Sequence, residues 1–154
     1  MFKKTLLAVT LGSVVFGQFA RADGDYVPPV KHALTQEECS ACHMAFPPAF
    51  LPARSWSKIM NTLEDHFGED ASLDETSRQE IEDYLATHAA DAGNRSSRFL
   101  RSIAGTTPVR ITDLGWWQRE HNHEVSQRMW DKAGSKSNCT ACHRGAERGY
   151  FDDD

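Results

Sequence analysis

Apolar residues recur at helical spacing along three stretches of the chain, separated by segments rich in proline, glycine and small polar residues. In the first stretch Ser55 reads as the cap of a helix running to Phe67, with Gly68 as its stop. Trp56, Ile59, Leu63 and His66 then share one face, so His66 projects from an apolar stripe. The second helix runs from about Ser77 to His88, with Ile81, Tyr84 and Leu85 turned inward and His88 near the same stripe. The third runs from Asp113 to about Lys132, where Gly134 breaks it. Two faces compete along it: one carries Leu114, Trp117, His121 and Val125, the other Trp116, His123 and Trp130. No convincing strand pattern appears, and the fold class expected is mainly α.

Between the helical stretches, "MAFPPAFLPARSW" carries three prolines that forbid a regular helix or central strand. This loop is stiff, and its aromatic residues call for an apolar partner. The segment "AADAGNRSSR" at residues 89–98 reads as a linker, with a domain boundary near Asn94. The expected organisation is a leader over 1–22, an N-terminal domain over 23–93 and a C-terminal domain over 94–154.

The leader begins with Lys3 and Lys4, runs apolar from Thr5 to Phe19, and ends in Ala20-Arg21-Ala22. Charge, apolar stretch and small-x-small site form a secretory signal cleaved before Asp23. The apolar run is short of the roughly 20 residues that a membrane span needs. Cleavage removes Lys3, Lys4 and Arg21 and no acid, which takes the net charge from −5 to −8. That balance argues against nucleic acid as a partner and fits a soluble exported protein that meets a basic partner. For 132 mature residues the chain has few strand-like apolar runs, so something besides aliphatic side chains fills the middle.

The chemistry lies in a repeated pentapeptide, "CSACH" at Cys39–His43 and "CTACH" at Cys139–His143. A redox disulfide of the thioredoxin kind expects a βαβ context, which is missing. A four-sulfur zinc site leaves both histidines without a role. Haem attachment uses every residue: Cys39, Cys42, Cys139 and Cys142 as thioethers, His43 and His143 as proximal iron ligands. Two c-type haems also account for the missing core. Each motif is expected to begin a short helix, with Glu37 and Glu38 favouring the first start, Asn138 capping the second and Gly145 stopping it.

Five histidines remain. For the first haem His66 leads, with His88 next and His32 third; for the second, His121 and His123 point about 200° apart on a helix, so only one ligates. Among the methionines, Met44, Met60 and Met129 are alternatives, and Met60 and Met129 are better read as packing.

The stretches "CSACHMAFPPAFLPARSWSKIMNTLEDHFGEDASLD", "ITDLGWWQREHNHEVSQRMW" and "SNCTACHRGAERGYF" together resemble the dihaem cytochrome c family, DHC. The resemblance implies a periplasmic electron carrier with two low-potential, bis-histidine haems. It implies an N-terminal domain like a class I cytochrome c, followed by a mostly helical C-terminal haem segment. It implies His66 as distal ligand of haem 1 and His121 for haem 2, with His123 as runner-up because two residues rather than one separate His121 from Glu124-Val125. The partners it implies are a small high-spin monohaem cytochrome (SHP) and a membrane cytochrome b, with no catalysis by the protein itself. A small haem enzyme or gas sensor with one open distal side is the competing reading, and a thiol-based module without haem a third.

Overall fold

The computed structural model describes residues 26–93, 98–100, 103 and 105–152. The export segment, the boundary at Asn94 and the last two residues of the acidic tail lie outside the described residues. Within them the architecture is helical: α1 (Ala33–Cys39), α2 (Ala53–Met60), α3 (Glu75–Thr87), α4 (Gly115–His121) and α5 (Gln127–Ala133), linked by short 3₁₀ turns. There is no strand among the described residues, only isolated bridges at Tyr26–Tyr150 and His66–Glu69.

Helix α1 precedes the first motif and ends on Cys39. Leu34, Gln36, Glu37 and Glu38 are good helix formers, and Pro47 and Pro48 stop any helix carrying on beyond the motif. Glu37 and Glu38 therefore occupy a last turn, where the expectation was a first. The second motif forms only a 3₁₀ turn, Cys139–Ala141, after Asn138. Asn138 does stand at the cap position, but its amide donates to the Ala133 carbonyl (3.0 Å) rather than capping the turn. Gly145 opens the next 3₁₀ turn, Ala146–Arg148.

Helix α2 stops seven residues short of the expected Phe67. Asn61 and Thr62 turn their side chains back onto the Ser57 and Lys58 carbonyls (2.7 and 3.0 Å), which satisfies the helix end and lets the chain leave. Its start lies at Pro52 rather than Ser55; Ser55 is fully buried inside the helix. Helix α3 matches its expected range closely and is capped by Asp74, whose carboxylate accepts from the amides of Thr76 and Ser77. Ile81 and Leu85 are buried on its inner face and Tyr84 packs partly against the same core.

The long third helix is in fact two. Asn122 closes α4, and Ser126, extended at ψ 157°, opens α5. Asn, His, β-branched Val and Ser in the intervening run favour caps and turns over helix interior, which the apolar period alone does not register. Gly134, at φ 75°, ends α5 as expected.

One buried cluster joins elements from both sides of residue 94: Leu51, Trp56, Leu63, Ile81 and Leu85 pack with Ile103, Leu114 and Trp117. A second, smaller cluster gathers Val27, Phe50 and Phe99, with Trp116 and Phe151 against it.

Candidate functional site

The proline loop after the first motif shapes both sites. The Trp56 indole N–H donates to the Pro48 carbonyl (2.8 Å, buried), fixing the loop on α2. At its start Phe46 stacks on His43, ring centres 4.9 Å apart. Four residues later Phe50 lines the cavity that holds the second motif. The Cα atoms of these two residues therefore lie within about 14 Å of each other, the limit for an extended chain.

His43 faces His66 across 6.1 Å between ring centres, at an interplanar angle of 26°. His143 faces His121 across the same 6.1 Å, at 83°. An imidazole nitrogen binds a transition metal at about 2 Å, and its ring centre lies about 1 Å behind, so two rings on opposite sides of one metal have centres roughly 6 Å apart. Each motif histidine thus has one partner at the separation a single iron requires.

The protonation pattern agrees. Nδ1–H of His43 donates to the Met44 carbonyl (2.7 Å), of His121 to Trp117 (2.7 Å) and of His143 to Asp152 (3.0 Å). A carbonyl only accepts, so in the neutral form of each ring Nε2 carries the lone pair a metal needs. Burial, then His43 and Arg110 nearby, hold the His66 imidazole below its ordinary pKa.

His121 lies where α4 ends, stacked on buried Trp117 at 4.2 Å, with Trp130 at 6.1 Å. It lines a cavity of about 680 Å³ together with Cys139, Cys142, His143 and Trp116, within the range of cofactor pockets. His123, two residues on, is exposed in the turn between α4 and α5. His66 is presented by the tight turn after α2 rather than by a helix face.

His32 and His88 are engaged elsewhere. His32 uses both nitrogens, on Thr35 (2.9 Å) and Glu80 (3.1 Å). His88 is exposed and bound to the Tyr84 carbonyl. Met60 is buried in the main core and Met129 is exposed at the cavity rim. The aromatic and cationic neighbours Phe67 and Arg110, whose guanidinium carbon lies 4.0 Å over the Phe67 ring, were not singled out by the sequence.

No disulfide joins Cys39, Cys42, Cys139 or Cys142. Burial and Glu38 push the Cys39 thiol up to about 11, and burial and Cys142 push Cys139 up to about 11. Redox-active CxxC thiols are shifted the other way. Among the described residues no three metal-binding side chains converge, so the two CxxC pairs do not assemble a four-sulfur zinc site. Two thiols and two opposed imidazoles per site, beside a cavity walled by aromatic rings, fit a covalently attached porphyrin. Trp116 Nε1, buried at the cavity wall without a partner among the described groups, leaves a donor for a carboxylate brought in with it.

A family model described as dihaem cytochrome c matches residues 35–151. The chain belongs to the dihaem cytochrome c family. It therefore carries two c-type haems. No curated protein matches it. Among solved structures, a diheme cytochrome c from Rhodobacter sphaeroides is 56% identical with a TM-score of 0.78, covering 81% of this chain and 100% of its own. The diheme cytochrome type c of Shewanella baltica OS155, sb-DHC, is 40% identical with a TM-score of 0.63, covering 78% of this chain and 86% of its own. Among the described residues of the cytochrome no helix is long and apolar enough to cross a membrane.

Proposed function

We propose that this cytochrome is an exported electron carrier in which each iron is held by two histidines, His43 with His66 and His143 with His121. When bound, the iron porphyrin supplies a one-electron ferric–ferrous couple. The protein's residues do the rest. The cysteines would tether the porphyrin, the four imidazoles would hold its irons and leave no position for a substrate, and the Nδ1 hydrogen bonds of His43, His121 and His143 would raise ligand basicity. Two nitrogen ligands without a thioether favour the ferric state and a low potential. The proline loop, touching one site through Phe46 and the other through Phe50, supports a short path between them. Residues 1–22 support export to the periplasm, and the proposed partners are a small monohaem cytochrome of the SHP kind and a membrane cytochrome b.

The observation that carries this reading is the pairing of each motif histidine with one other histidine at 6.1 Å. Spectra of the holoprotein and of three variants test it. His66→Ala and His121→Ala should each turn one haem high-spin, while His123→Ala should leave both low-spin. A high-spin signal in His123→Ala, or none in His121→Ala, would remove the assignment at the second site. The ligand planes add a second readout: near-parallel rings split the iron d orbitals that near-perpendicular rings leave close in energy. Electron paramagnetic resonance should accordingly separate a rhombic low-spin signal at the first site from a strongly anisotropic one at the second.

A further inference from the structure

The turn that presents His66 is built in an unusual way. His66 and Glu69 bond to each other's backbone (2.7 and 3.4 Å) around the two-residue loop Phe67-Gly68. Both loop residues have positive φ, 61° and 103°. Such a loop normally takes Asn-Gly or Asp-Gly, because a bulky L-residue disfavours this conformation. Phe67 is the only non-glycine with positive φ among the described residues, and the residue is 46% exposed. A phenyl group held in a strained backbone and half in water contributes little to the core, so its contacts are what account for it.

Two ring contacts define its place among the described residues. The ring lies 4.8 Å from the His66 ring, and Arg110 covers it at 4.0 Å. The other three paired histidines each have Nδ1 fixed by a backbone carbonyl. The His66 ring has no such bond among the described residues, so packing alone sets its orientation. Arg110 comes from the segment leading into α4, the helix that carries His121. The first site is thereby fastened to the part of the chain that builds the second.

We propose that Arg110, acting through the Phe67 ring, is a positioning residue that holds the His66 imidazole on the iron of haem 1. The inference rests on His66 being the distal ligand there. Its consequence is that His66 is the axial ligand most readily displaced, and that the clamp sets how readily.

Carbon monoxide binding to the reduced holoprotein measures displacement, with His66→Ala marking the adduct of the first haem. Arg110→Ala should raise the rate of that adduct roughly two- to fivefold, the strength of a partly exposed cation–π contact. Phe67→Gly should raise it further, and glycine accepts the positive φ, so the turn itself is kept. Arg110→Lys should stay close to the parent, since an ammonium also lies over a ring. The double variant should match Phe67→Gly, because Arg110 has nothing to act through once the ring is gone. If Arg110→Ala and Phe67→Gly bind carbon monoxide no faster than the parent while His66→Ala does, the clamp falls and the ligand assignment stands. The clamp also falls if the arginine effect persists in full without the ring. If His66→Ala leaves haem 1 low-spin, ligand and clamp fall together.

Discussion

Gly149 sits at φ 88°, and a Cβ added there would stand 2.2 Å from the Val27 carbonyl oxygen. Its own carbonyl accepts from the Val27 amide (2.8 Å), and the flanking Tyr26 and Tyr150 rings meet at 5.1 Å. This is where the start of the described chain is fastened to its end, two residues before the segment that supplies Phe151 and the Asp152 carbonyl to His143. Gly149→Ala should cost about 2 kcal/mol or more, since backbone strain and a steric clash act together. Urea denaturation of the holoprotein would measure it. A variant as stable as the parent would show that the N-terminal strap is not held here. At this scale the two pentapeptides made two c-type haems legible, which the family bears out, because covalent attachment needs fixed residue types at fixed spacing. That His121 lines the cavity while His123 is exposed in the turn was not legible, since it depends on where a helix stops. Phe67 gave no signal: "FG" lacks the side chain that makes Asn-Gly readable as a turn.

Helix α3 is the element the sequence described best, and Asp74 explains its sharp start. The Ser77 side chain, with the amides of Ser77 and Thr76, holds the Asp74 carboxyl below the ordinary carboxylate range. A depressed pKa in the folded state means the cap contributes stability above about pH 3.9, the unfolded value, and loses it as pH falls through the lower folded value. Asp74→Ala should therefore melt below the parent at neutral pH, with the gap closing in acid. Asp74→Asn, which caps without titrating, should show no such convergence. A pH-independent gap for the alanine variant would mean the carboxylate is not what starts the helix. The other helix ends were harder to read for a related reason. At Asn61-Thr62 and at Asn122 to Ser126 short polar side chains and the backbone compete for the same hydrogen bonds. The apolar period continues through both breaks, and so the expected helices did too.

Across the whole molecule the charge is divided unevenly. Residues 23–93 hold 14 acids against four bases, whereas residues 94–154 hold eight acids against ten bases. The acids Glu64, Asp65, Glu69 and Asp70 crowd the turn that presents His66 and are all exposed. The expected linker did not register that the two parts share one core, because the contacts between Ile81 and Leu114 sides are made by residues far apart in the chain. Through the shared core the acid-rich turn that presents His66 and the more evenly charged segment 94–154 belong to one packed body. A basic redox partner should thus be steered to the first site. Reversing Glu64 and Glu69 together to lysine should slow electron exchange with a basic cytochrome roughly tenfold at low salt, the lower end of what steering supplies. Above about 0.5 M salt, where the screening length falls well under 10 Å, the variant and the parent should converge. Glu120→Lys, beside the second site, should change the low-salt rate far less. Stopped-flow rates across a salt series decide the matter: a flat response in the parent, or equal losses from reversals at the two sites, would mean that docking does not follow this charge division.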